Sequence, residues 1–395
     1  MPIGPVSAIG LGSSTLAIVP DVPPLSDVEL VDHHCHGVVR RDLHLTDLSA
    51  LLTEGGAAAG AAGSAFDSRI GFALRRWCPP VLDLPVHASP EEYLQRRTDL
   101  GWTEVTRRLL RAGGGAAYVV DTGFEPEPLT PPAELAELAG APAHEVVRLE
   151  RLAEEAVLSG ASAAGFADEV RRLLWERSRH AVAVKTIAAY RIGLALDPAR
   201  PAPGEVSAAA GRWLAAIDDG AAIRCADEMV IRFLIWEAID RGLPLQVHAG
   251  LGDSDIDLGQ CDPLLLTGLL RVTEPLGVPV LLLHNYPYHR QAGYLTQVFG
   301  HVYADVGLAL HNVGGAARQV LGELLELAPF GKVLFSTDAY GLPELYLLGT
   351  TLFRRALGGL LDDGIAAGDW AAADAERVAQ LIGSANARRV YGLPA

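Results

Sequence analysis

The chain has 395 residues, half of them apolar and a fifth charged, a composition that supports a large core and excludes a disordered or fibrous protein. With 32 Lys and Arg against 48 Asp and Glu, the formal net charge is −16, which argues against a nucleic acid or an anionic membrane as the main partner. The length allows several domains or one α/β barrel carrying insertions.

The N-terminal MPIGPVSAIGLGSSTLAIVPDVPP has no basic segment, and Gly, Ser and Pro break its apolar stretch, so no signal peptide is expected. No unbroken apolar run reaches the roughly 18 residues of a membrane span. The first strand is predicted at 28–32 (VELVD), running into the histidine cluster DHHCHG. Residues 55–100 then interrupt the pattern with GGAAAGAAGSAF and LRRWCPPVLDLP, and are expected to form an insertion over the mouth of a barrel. Within it, Ser89 should cap a helix over 90–99, whose first turn carries Glu91 and Glu92.

Further strands are predicted at 117–120 (AYVV), 145–149 (EVVRL), 181–184 (AVAV), 243–247 (LPLQV), 278–283 (VPVLLL), 302–305 and 332–335 (KVLF). Residues 126–142 read as a short helix and loop, and 153–179 as one long helical stretch. Eight apolar runs separated by helix-length sequence predict a (β/α)8 TIM barrel, a single domain over 1–395 with a helical insertion after the first strand. A doubly wound open sheet would carry a glycine-rich turn where this chain has DHHCHG. The four cysteines, Cys35, Cys78, Cys225 and Cys261, lack CxxC spacing and predict reduced thiols in a cytoplasmic protein.

His34 and His36 stand two residues apart, so in an extended strand both rings point to one face and can converge on one ion. His33 and Cys35 alternate with them and should point elsewhere. Lys185, His248, His284 and Asp338 each sit at or just beyond the end of an apolar run, and in a barrel those ends share one face. Any one of them has an ordinary reading as a cap, a core hydrogen bond or a solvated charge; together they point to a metal site. Tyr190 and Arg191 follow Lys185 closely and are candidates to bind substrate, the arginine through a carboxylate. Arg148 and Glu150 read as a local pair.

This pattern resembles the amidohydrolase superfamily, and most closely the amidohydrolase-2 type of domain that stands alone in bacteria and is fused to a glutamine-synthetase-like domain in plants and fungi. KTIAAYRIGL, LLLHNYPYHRQAGYL, VLFSTDAYGLPELYLLG and IGSANARRVYGL carry the resemblance. It implies His34, His36, Lys185, His248, His284 and Asp338 as metal ligands, with Asp338 and His284 catalytic. It implies one or two divalent ions, zinc first with manganese, iron or nickel as competitors, and Lys185 carboxylated in the two-ion version. The implied activity is hydrolysis of a C–N bond, an amide or γ-glutamyl-type linkage of a small carboxylate-bearing substrate, by metal-activated water. Non-oxidative decarboxylation and a non-catalytic scaffold are the alternatives. A homo-oligomer is compatible with the sequence, which leaves the substrate open.

Overall fold

The computed structural model describes residues 25–55, 65–124 and 126–394, so the expectation about a signal peptide and part of the glycine-rich insertion lie outside the described residues. Among the described residues, mainly apolar segments form seven strands: β1 (Leu30–Cys35), β2 (Gly115–Asp121), β3 (Ala143–Arg148), β4 (Ala181–Thr186), β5 (Leu245–Ala249), β6 (Val280–His284) and β7 (Val302–Ala304). All pairs are parallel and the spatial order follows the chain order. That order follows when each crossover winds back in the same hand through a helix. The sheet curls into a half-barrel with helical insertions.

The expected eighth strand is not formed. Phe330–Lys332 is a short 3-10 turn, and a single bridge links Val333 to Ala304. The segment still spans the gap between the sheet edges: Leu334 N donates to Ala304 O at 3.1 Å, and His33 N donates to Phe335 O at 3.0 Å. The ladder stops there for a local reason. The Asp32 carboxylate accepts from Thr337 N at 2.9 Å and Thr337 Oγ1 at 2.5 Å. Asp338 then turns to φ 50°, which no strand can continue.

Other boundaries shift as well. β1 runs to Cys35, so the histidines lie within and just past the strand, and Asp32 and Cys35 face Tyr118 and Val120, an irregularity of one extra residue at the histidine pair. The stretch over 153–179 is two helices, Leu149–Leu158 and Phe166–Arg177, separated by the glycine- and serine-containing turn at 159–165. In the insertion, Ser89 caps Pro90–Leu100 by accepting from Glu92 N, while Glu92 accepts from Ser89 N.

The interior is filled by Val31, Ala117, Val119, Val146, Ala183 and Leu281 from the strands and Leu334 from the bridging segment, together with Ala387, Tyr391 and Leu393 from the C-terminal end. This small apolar plug leaves the strands' C-terminal ends to hold polar side chains. The long helix Pro343–Ala367 packs outside and ties down the insertion, where Arg97 pairs with Glu344 and Tyr93 Oη donates to the same carboxylate at 2.8 Å. Among the described residues, no helix is long and apolar enough to cross a membrane. The four cysteines are free and buried.

Candidate metal centre

Because every strand runs in the same direction, side chains at successive strand ends gather at one rim. His34 comes from β1 and His36 from just past its end, Lys185 from β4, His248 from β5 and His284 from β6, while Asp338 follows the segment that bridges β7 and β1. The Asp338 carboxylate meets three imidazoles: Oδ1 lies 3.1 Å from His34 Nε2 and 3.4 Å from His36 Nε2, and Oδ2 lies 3.3 Å from His284 Nδ1. Lys185 Nζ is 2.7 Å from His34 Nε2 and 3.6 Å from Asp121 Oδ2. Among the described residues, two three-residue groups have donor atoms close enough to share an ion: His34, His284 and Asp338, and His34, His36 and Asp121.

Hydrogen bonds from behind the rings decide which nitrogens face the centre. Gln246 Nε2 donates to His33 O and to Tyr391 Oη, both at 2.8 Å, so its Oε1 faces His34 Nδ1 at 2.9 Å. An amide oxygen only accepts, which puts the proton of His34 on Nδ1 and leaves a lone pair on Nε2. His36 Nδ1 lies 3.2 Å from the carbonyl oxygen of Asp121, so its Nε2 likewise carries a lone pair. Both lone pairs then face the same carboxylate oxygen, which is repulsive unless a cation sits among them. Protonating His34 instead is unfavourable: burial, then the charge of Lys185, pushes it down to about 3. Burial alone would raise Asp338, but His284, His34 and His36 hold it well below the ordinary carboxylate range.

Two more imidazoles present unused nitrogens. His284 makes no hydrogen bond through either ring nitrogen, nor does His248 through Nε2, although both are buried. Their ring centres lie 4.5 Å apart, and the Tyr190 ring packs at a tilt against His248 at 4.6 Å. Buried imidazole nitrogens without partners are costly unless a ligand completes them. The donor set of imidazole nitrogens and carboxylate oxygens therefore fits a divalent metal such as zinc.

The backbone is strained where it delivers these groups. His284, Asn285 and Asp338 have φ values of 67°, 60° and 50°, each costing about 1–3 kcal/mol in residues other than glycine. Specific bonds hold the turns: His284 N donates to Asp305 Oδ1 at 2.7 Å, Asn285 N to Ala249 O at 2.9 Å, and Asp338 N to His34 O at 2.9 Å.

All six residues named from the sequence as ligands converge here, and Tyr190 and Arg191 line the cavity above them. His33 is not among them: it bonds Asp305 Oδ2 at 2.7 Å and Tyr391 Oη at 2.9 Å in the layer beneath. Cys35 points to Val119 O, and burial pushes its thiol well above the usual value. The Arg148–Glu150 pair does not form. Arg148 grips Asp121 Oδ2 at 2.6 and 3.2 Å, whereas Glu150 accepts from Thr186 Oγ1 and Ile187 N.

Sequence reasoning missed Asp121, Gln246, Asp305, Glu54, Arg224 and His311. Asp121 closes an apolar run as Asp338 does, and that position was the available signal. Gln246 carried none, because a glutamine inside an apolar strand reads the same whether or not it faces a histidine. The cavity has a volume of about 340 Å³, and Phe124, Tyr340 and Leu345 form part of its apolar wall.

Comparison with known proteins agrees with this geometry. Residues 31–393 match the amidohydrolase family. Protein fluG of Emericella nidulans is 39% identical over 152 residues; this stretch is 38% of the chain and only 17% of that relative's length. A proposed metal-dependent hydrolase from Lactobacillus casei superposes with a TM-score of 0.81 at 28% identity, over 94% of this chain and 98% of that one. A uronate isomerase from Bacillus halodurans has a TM-score of 0.60 at 17% identity, over 93% and 94% of the two chains, a likeness of fold alone. Strand-end histidines converging on one aspartate and a family match along nearly the whole chain lead to one assignment: the protein belongs to the amidohydrolase family.

Proposed function

We propose that this protein is a metal-dependent hydrolase that cleaves a C–N bond, an amide or γ-glutamyl-type linkage, in a small carboxylate-bearing substrate. The observation that carries the reading is the pair of tautomer-held lone pairs on His34 and His36, both aimed at Asp338. In this reading the strand-end segment 333–338 completes an eight-stave barrel, and the chain is one domain whose insertion borders the cavity mouth. The name of the Lactobacillus casei structure, which refers to metal-dependent hydrolysis, supports the same class.

His34, His36 and Asp338 would hold the ion, with His248 and His284 adjoining and Asp121 a further carboxylate. Zinc is the proposed metal. A bound divalent cation supplies Lewis acidity and lowers the pKa of water toward about 7. Asp338 is placed to take a proton on Oδ2 and to pass it to the leaving nitrogen, which must be protonated as the C–N bond breaks. His284, 3.3 Å from that oxygen, can stabilise charge developing on the substrate carbonyl. Burial lowers the Lys185 ammonium from its ordinary value, and the neutral amine is the form that adds CO2 to give a carbamate. Arg191 and Tyr190 are proposed to hold the substrate, the arginine through its carboxylate.

The test is metal analysis followed by a screen of γ-glutamyl amides and N-acyl amino acids with metal-loaded protein. Release of amine supports the hydrolase. Release of CO2 from carboxylic acids without amine from any amide overturns it. Two ions per chain with a modified Lys185 would establish the two-ion version, and one ion with free Lys185 the one-ion version.

A further inference from the structure

The C-terminal stretch IGSANARRVYGL reaches into the layer beneath the proposed metal centre. Leu381–Ala385 is a π-helical turn, and Asn386–Tyr391 continues it as a short α-helix. The turn lies close against the start of β1: a Cβ on Gly383 would stand 2.6 Å from Glu29 O, so a larger residue would push the helix away. Both ends of the helix reach the strand layer. Asn386 Nδ2 donates to Phe330 O and Val333 O, each at 2.8 Å, and so holds the start of the segment that leads to Asp338. Tyr391, at the other end, brings its hydroxyl to His33 and Gln246.

The hydrogen bonds at that hydroxyl run in one direction. Gln246 Nε2 also donates to the carbonyl oxygen of His33, which only accepts, so Nε2 is the donor to Tyr391 Oη. The phenol proton then has His33 Nδ1, 2.9 Å away, as its acceptor, and His33 Nε2 donates to Asp305 Oδ2 at 2.7 Å. Asp305 Oδ1 in turn accepts from His284 N at 2.7 Å and Gly307 N at 2.9 Å. One chain therefore runs from Asp305 through His33, Tyr391 and Gln246 to His34 Nδ1, and its far end holds the strained turn at His284. Asp305, His33 and Gln246 are fully buried and Tyr391 nearly so. Without the phenol oxygen, His33 Nδ1 loses its donor, and the Gln246 amide is held by His33 O alone. Unpaired polar groups are costly in such a layer, and linked bonds strengthen one another there.

We propose that Tyr391 is a positioning residue of the metal centre, acting through Gln246 to keep the His34 proton on Nδ1 and the Nε2 lone pair toward the ion. The inference rests on the reading of this site as a metal centre, and it gives the C-terminal helix a part in that centre. Tyr391 lies outside the donor set, so its influence on the ion passes through Gln246 and His34.

The experiment is a double-mutant cycle on zinc affinity, read by chelator competition, with Tyr391→Phe, Gln246→Leu and the two combined. Zinc binding by the unaltered protein is measured first; its absence would overturn the metal centre itself, and every later outcome bears on Tyr391. Tyr391→Phe keeps the ring and removes only the oxygen. It should weaken zinc by about tenfold, the lower end of what outer partners of a ligand contribute. Because both side chains act on His34 along one path, the double variant should bind zinc no more weakly than Gln246→Leu alone. An unchanged affinity in Tyr391→Phe, or losses that multiply in the double variant, would overturn the proposal, since a merely structural hydroxyl would not share the Gln246 effect. A variant that folds only with metal is read by the zinc concentration that restores its melting transition. If Tyr391→Phe folds at no zinc concentration, the hydroxyl is a folding element and the proposal falls. No turnover enters the measurement, so a shared Tyr391 and Gln246 effect with no amide hydrolysed would sink the hydrolase reading alone.

Discussion

Gln246 Oε1 lies 2.9 Å from His34 Nδ1, and the same side chain's Nε2 is committed to His33 O and Tyr391 Oη. One amide thus sets the tautomer of a proposed metal ligand from the layer beneath it. Outer partners of this kind typically contribute about 10–100-fold to metal affinity. Gln246→Leu should therefore weaken metal binding by about that factor in a competitive chelator titration, with the circular dichroism spectrum retained. Unchanged affinity would mean that the ring is held without the amide.

Among the described residues, Asp338 is the one carboxylate that touches His34, His36 and His284 together. Asp338→Asn keeps the shape but removes the charge and the proton acceptor. Turnover should fall by about 10²–10⁴-fold, and bound metal per chain should fall with it. Either Asp338→Ala or His34→Ala should abolish turnover in folded protein. A variant that kept its activity would show the centre to be misplaced.

Removing the metal should lower stability as well as activity, because buried ring nitrogens such as those of His284 lose the partner that compensates them. At a thousandfold excess of metal over its Kd, binding adds about 4 kcal/mol to unfolding. The melting temperature should rise on adding zinc to chelator-stripped protein. Thermal scans and activity that are both indifferent to chelation would exclude a metal role.

Arg97 and Glu344 form a buried ion pair that joins the insertion to the helix Pro343–Ala367. Arg97→Met leaves the Glu344 charge buried with only Tyr93 Oη beside it, at a cost of about 3–5 kcal/mol. Adding Glu344→Gln removes that charge, so the double variant should be more stable than Arg97→Met alone. Urea midpoints of the three proteins decide the matter.

Much of this architecture was legible before any coordinates. Apolar runs ending in His, Lys or Asp located the strands and their chemical ends, because strands buried on both faces must be apolar throughout. Seven of the eight runs are strands. The eighth, expected at 332–335, does not form, and its interruption was not legible because the groups that meet there, Asp32 and Thr337, are some three hundred residues apart in the chain. Arg148 was paired with Glu150 on sequence proximity, whereas parallel pairing of β2 with β3 places Asp121 beside its strand.

Alone, the sequence determined that His34 and His36 open a series of strand-end groups. A two-residue spacing in extended chain and the C-terminal ends of apolar runs are local properties. Tertiary structure alone decided which nitrogen of each ring faces Asp338 and that Asp121 joins the centre. Hydrogen-bond partners and electrostatic neighbours depend on distance in space, and here they come from separate strands and loops. The histidines were written in the sequence; the direction of their lone pairs was set by Gln246 and the Asp121 carbonyl.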